Sequence, residues 1–203
     1  PASQYLALGS GFVVKYSVGV GTAGGGTVDG YSDLKARVIV KRGSTVISEF
    51  QDAEFVGVTA GQSYTFDASP YLKDATAYTV QVEAQATYQG GTLMKTATAK
   101  VTMVAMTLET TYSVGNGLAD GGYRNDVNIP FTAKGTSGEK NIYYRVNGGQ
   151  AFTLGLSAGS GVQQKNVTIP LTQMQEGTNV VEAYAQHENS GVVSRVHYIT
   201  LLK

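Results

Sequence analysis

The chain has 203 residues, of which 42% are hydrophobic and only 15% charged, so it can bury a sizeable core and does not have a disordered composition. Its 15 basic and 15 acidic side chains cancel, with eight of each sign up to residue 105 and seven of each beyond it, which excludes the basic footprint of a nucleic-acid binder. With no cysteine there are no disulfides or thiolate sites, and no apolar run approaches the length of a membrane-spanning helix.

Twenty-six glycines with abundant tyrosine, valine and threonine predict strands joined by turns. In chain order, Val38-Ile39-Val40 and Val46-Ile47 flank the turn Lys41-Arg42-Gly43-Ser44. Ser69 to Asp74 suits a short helical turn. Tyr78 to Tyr88 alternates with a strict period of two. Tyr78, Val80, Val82, Ala84, Ala86 and Tyr88 share one face, as in a half-buried antiparallel strand. Gln89-Gly90-Gly91 then turns into a strand from about Thr92 to Val104. Ile129-Pro130 and Ile169-Pro170 put proline in apparent strands; lacking the ladder N–H, it predicts edges or bulges. Val146-Asn147-Gly148-Gly149 between two apolar runs predicts a hairpin, since Asn-Gly supplies the positive φ of a type I′ turn. Leu171 to Glu176 suits a second short turn.

The chain also repeats itself. Tyr16-Ser17-Val18-Gly19 recurs as Tyr112-Ser113-Val114-Gly115, and each copy enters a glycine-rich loop. Those loops end in Gly30-Tyr31-Ser32-Asp33 and in Gly122-Tyr123-Arg124-Asn125-Asp126. Val82-Glu83-Ala84-Gln85-Ala86 recurs as Val181-Glu182-Ala183-Tyr184-Ala185. Modules of about 100 residues with about seven strands each predict an all-β chain of two tandem immunoglobulin-like (fibronectin-III-like) antiparallel β-sandwiches. The expected modules are residues 1–105 and 106–203. Val101 to Ser113 carries no Pro or Gly spacer, so a semi-rigid, elongated pair is expected.

Several stretches resemble a known family. Gly177-Thr178-Asn179-Val180-Val181-Glu182-Ala183-Tyr184-Ala185 resembles the penultimate strand of bacterial and phage immunoglobulin-like domains. Tyr5-Leu6-Ala7-Leu8, Gly11 to Ser17, and Asn116-Gly117-Leu118-Ala119 with Gly121-Gly122-Tyr123 resemble repeats in very large structural proteins of phages and prophages of gut bacteria. The resemblance implies spacer modules in tail or surface fibres. It defines no functional residues to carry over, and the tyrosine corner of antibody domains is not assigned from sequence.

For chemistry, the two histidines, His187 and His197, come with no nucleophile elbow or triad pattern. Gly21 to Gly26 lacks the Gly-Lys-Ser/Thr ending of a phosphate loop. Two histidines without cysteine do not supply a structural zinc site. The candidate metal is calcium, with Asp29 and Asp33 in one loop and Asp120 and Asp126 in the equivalent loop. Tyr31 and Tyr123, taken as matching positions, are the candidate saccharide-stacking residues. The expectation is a non-catalytic spacer segment of a larger phage-like or cell-surface protein, with no cofactor and an extracellular, cell-surface or virion location. Its partners are then neighbouring domains of a longer chain, with no nucleic acid and no membrane insertion. The alternative is an adhesion module for a cell-surface glycan or protein.

Overall fold

The structure, a computed structural model, describes residues 3–22, 25–112, 123–159 and 161–203. Two compact units divide it, Pro1–Met103 and Val104–Lys203. Among the described residues the helical pieces are single 3-10 turns at Ser48–Phe50, Ser69–Tyr71 and Leu171–Gln173.

The first unit contains β1 (Gln4–Ala7), β2 (Val13–Ser17), β3 (Tyr31–Arg42), β4 (Thr45–Val46), β5 (Val56–Gly57), β6 (Ser63–Asp67), β7 (Ala77–Tyr88) and β8 (Gly91–Val104). One sheet runs β1-β8-β7-β3-β4, with β5 also on β3, and β2 pairs with β6 to make the second layer. The alternation of β7 drives the packing: Tyr78, Val80 and Val82 are buried on one face, and Tyr78 and Val80 share a core cluster with Phe12 and Ala68, which flank β2 and β6. The β7–β8 turn is Gln89-Gly90, with φ of 49° and 78°. Two consecutive positive φ values are those of a type I′ turn.

Tyr78 also builds a tyrosine corner, which the sequence pattern does not reveal. It is the second residue of β7, is buried, and its hydroxyl accepts the N–H of Asp74 at 3.0 Å.

The second unit contains β9 (Met106–Thr110), β10 (Val127–Gly135), β11 (Lys140–Val146), β12 (Phe152–Leu156), β13 (Gly161–Ile169), β14 (Thr178–His187) and β15 (His197–Leu202). The first, second and fifth strands form the sheet β13-β10-β9; the others form β12-β11-β14-β15. That division is the immunoglobulin-like sandwich in its fibronectin-III-like form. Ile129, Phe131, Ala133, Val167 and Ile169 from one sheet meet Ile142, Val181, Ala183, Ile199 and Leu201 from the other. Asn147 and Gly148, with φ of 50° and 69°, form the type I′ turn read from sequence, closed by Gly149 N–H to Val146 O at 2.9 Å.

Asn179, the second residue of β14, takes the place that Tyr78 has in β7. Its Oδ1 accepts Gln175 N–H at 2.9 Å and its Nδ2 donates to Gln175 O at 2.8 Å. Both residues thus tie the start of a central strand to the main chain four residues upstream.

Pro130 departs from expectation. Its strand, β10, is the middle strand of three, not an edge. Pairing with β9 begins only at Phe131, opposite Thr110, and the Thr110 hydroxyl donates to Pro130 O at 2.8 Å. The missing N–H therefore faces the side where β9 has ended. Pro170 ends β13, which is an edge strand, and leads into a 3-10 turn.

The repeat is also only partly structural. Val82–Ala86 and Val181–Ala185 lie on equivalent strands, each paired on both sides. Tyr16, by contrast, lies in the second strand of its unit, whereas Tyr112 follows the first strand of the other. The rest of the second copy, Ser113-Val114-Gly115, lies outside the described residues.

Candidate functional site

The residues singled out from sequence do not form one kind of site. Tyr31 opens the third strand of its unit and faces Tyr88 across β3–β7, at the end holding the β7–β8 turn. Tyr123 precedes the second strand of its unit, packs against the core and donates its N–H to Leu202 O at 2.7 Å. It sits at the end holding the β13–β14 connection, so the two tyrosines are not at matching positions. Asp29 is exposed, and Asp33 has φ of 54° within the register shift between Ser32 and Lys35. Asp33 is therefore a bulge residue in the left-handed region, which aspartate tolerates better than most. Asp126 Oδ1 accepts Leu171 N–H at 2.8 Å, anchoring the 3-10 turn. Asp120 lies outside the described residues. Among the described residues no three His, Cys, Asp or Glu side chains converge as a metal site.

The buried polar side chains turn to the main chain. His187 contacts Ser137 O at 2.9 Å through Nε2 and Ser190 Oγ at 3.0 Å through Nδ1. The carbonyl can only accept, so Nε2 donates to it. His197 Nε2 meets Leu108 O. Ser194 Oγ accepts Ala185 N–H at 2.9 Å and contacts Arg195 O at 3.0 Å. The Lys140 ammonium donates to Thr136 O at 3.1 Å and to Gly159 O.

Burial pushes the Lys140 pKa down. The folded state therefore releases this proton at a lower pH than the unfolded chain. Stability should rise as pH climbs through the depressed value towards the ordinary lysine range. Urea midpoints across that window should show an alkaline increment in the wild type that is missing in Lys140→Met.

The exposed feature with a chemical character of its own is the outer face of β12-β11-β14-β15. Register places Tyr143 opposite Tyr184, Arg145 opposite Glu182, and Glu182 opposite Tyr198. The Tyr143 and Tyr184 rings stack, with centroids 5.5 Å apart and planes 18° from parallel. Arg145 holds Glu182 through both Nε and Nη2, a two-point ion pair. The Tyr143 hydroxyl donates to Glu188 Oε1 at 2.9 Å, and Asn141 Nδ2 donates to the same oxygen at 2.9 Å. That bond to Glu188 is the first cause that raises the Tyr143 pKa, so the phenol stays a donor. Tyr198 is 58% exposed. Tyr143, Arg145, Glu182, Tyr184 and Tyr198, with Tyr144, Ala151 and Val196, line a shallow groove of about 260 Å³.

This face is not marked by loop tyrosines, the feature to which the sequence pattern first points. The signal was there in the strand phase: in β14, Val181, Ala183 and Ala185 point inward, which puts Glu182 and Tyr184 outward. An aromatic residue at the solvent phase of an alternating strand is the cue.

The first unit has a groove of about 440 Å³ where Val18 to Thr22 pass Leu34, Ala84, Ala86, Leu93 and Lys95. It lies beside the start of β8, whose first seven residues are exposed.

No family model matches the chain, and no curated protein matches it. Among solved structures, the crystal structure of chicken CNTN1 FN1–FN3 domains aligns with 13% identity over 100% of this chain and 68% of that one, at a TM-score of 0.28. A chaperone–tip adhesin complex of CFA/I fimbriae aligns with 13% identity over 100% of this chain and 96% of that one, at a TM-score of 0.28.

Proposed function

We propose that the chain is a non-catalytic structural segment of a larger phage-like or cell-surface protein, two sandwich modules set between neighbouring domains on a cell surface or virion. The observation that carries this reading is the use made of buried polar groups. Lys140, Asn179 and His187 bond to the main chain of adjacent turns, and Ser194 bonds to the main chain of β14. A buried polar group so engaged fixes loops instead of meeting a substrate. The tyrosine face of the second unit favours a second reading, adhesion to a cell-surface glycan or protein. A fluorescently labelled chain incubated with intact bacteria and with a glycan array separates the two. No retention on either supports the structural segment. Retention that disappears when Tyr184 is replaced supports adhesion.

A further inference from the structure

We propose that the outer face of β11, β14 and β15 is a binding site for a neutral pyranose sugar, seated on Tyr143, Tyr184 and Tyr198. The proposal rests on the adhesion reading and names its ligand class and its site.

The two units supply an internal comparison. Each has an Arg–Glu pair directly across its two central strands, Arg37 with Glu83 and Arg145 with Glu182. Counting from that pair, the positions of Tyr143 and Tyr184 are held in the first unit by Lys35 and Gln85. The position of Tyr198, opposite the glutamate, is held by Thr96. The sandwich frame therefore forms without aromatic residues at these three places. Three tyrosines on the solvent side of one unit are an addition to the frame, and their rings do not close its core.

The chemistry selects the ligand. A pyranose has an apolar C–H face and an equatorial ring of hydroxyls, and an exposed phenol offers an apolar face with a polar tip. In the groove Arg145 is neutralised by Glu182, while the Glu188 carboxylate, beyond the groove lining, accepts from two neutral donors. A charged group seated in the groove would have to compete with that ion pair. Neutral hydroxyls can instead use the carboxylate lone pairs and guanidinium N–H groups that remain. Size points the same way. At about 260 Å³ the groove falls just under the range of drug-sized pockets, which suits a single sugar ring. In the first unit, Arg37 is covered: Phe55 lies 4.5 Å from its guanidinium and Ala53 O accepts from Nη1.

The test uses the full chain and a panel of methyl pyranosides of glucose, galactose, mannose and N-acetylglucosamine, followed by saturation-transfer and chemical-shift NMR. The expected result is millimolar binding of at least one of them, with shifts centred on Tyr143, Tyr184 and Tyr198. The variant Tyr143→Lys/Tyr184→Gln installs the residues that the first unit carries at the same places. It should keep the fold, seen as an unchanged amide spectrum away from the face, and weaken binding by roughly tenfold or more. Tyr31→Ala should bind as the wild type does. Absence of saturation transfer to the three rings with every pyranoside at tens of millimolar overturns the site, as does binding that the double variant leaves intact. If the labelled chain still adheres to cells or arrays in either case, adhesion stands and this site falls; if adherence is absent too, both fall.

Discussion

Phe131→Ala should lower the stability of the second unit by about 3–5 kcal/mol, the usual cost of emptying an aromatic core position. Phe131 is the largest of the fully buried side chains, at 1% exposure. It stands on the middle strand of its sheet, between Ile129 and Ala133 on the same face. Both flanking strands hold β10 in register there, opposite Lys165 and Thr110, so the backbone has little freedom to collapse into the void. For a unit of this size the loss corresponds to a melting shift on the order of 15–30 °C. Differential scanning calorimetry should show two transitions, with one moved by the substitution. A single transition that shifts as a whole would mean that the two units unfold together.

Gly138→Ala should cost about 2–4 kcal/mol, although it adds one methyl group. Gly138 has φ of +132°, where side chains rarely sit, and a Cβ there would lie 2.5 Å from His187 Nε2. The imidazole cannot step aside without breaking its bonds to Ser137 O and Ser190 Oγ, at 2.9 and 3.0 Å. Gly138 is itself pinned, its N–H donating to Ala158 O at 2.6 Å. Backbone strain and a lost buried hydrogen bond therefore add. Gly148→Ala is the control: its φ is +69°, but the space around it is open. It should cost only about 1–2 kcal/mol, the left-handed penalty alone. Chemical denaturation of Gly138→Ala, His187→Ala and the double variant should give non-additive losses, because the smaller side chain admits the methyl group. Additive losses would show that the close approach is not the cause.

Local patterns in this sequence carried much of the secondary structure. The alternation of Tyr78 to Tyr88, the Asn147-Gly148 turn, the Gln89-Gly90 turn and the short turns after Ser69 and Leu171 are all legible from neighbouring residues. Each depends on a period or a φ preference that a few residues set among themselves. The all-β, immunoglobulin-like class follows from those patterns summed along the chain. The tyrosine corner was not legible, because Tyr78 looks like any inward residue until Asp74 N–H is seen to fold back onto its hydroxyl.

The position of the candidate site belongs to the tertiary structure. Tyr143, Tyr184 and Tyr198 lie far apart along the chain and become neighbours only through the β11–β14 and β14–β15 registers. A slip of one residue in either register would send the rings to the opposite face. Register is set by which residues the core accepts, a property of both sheets at once. For the same reason Tyr31 and Tyr123 look equivalent in sequence and are not. Neighbouring residues along the chain set the strand periods and the turns, and composition sets the neutral charge. Packing decided which strands pair, that Pro130 could stand in a middle strand, and which tyrosines meet on one face.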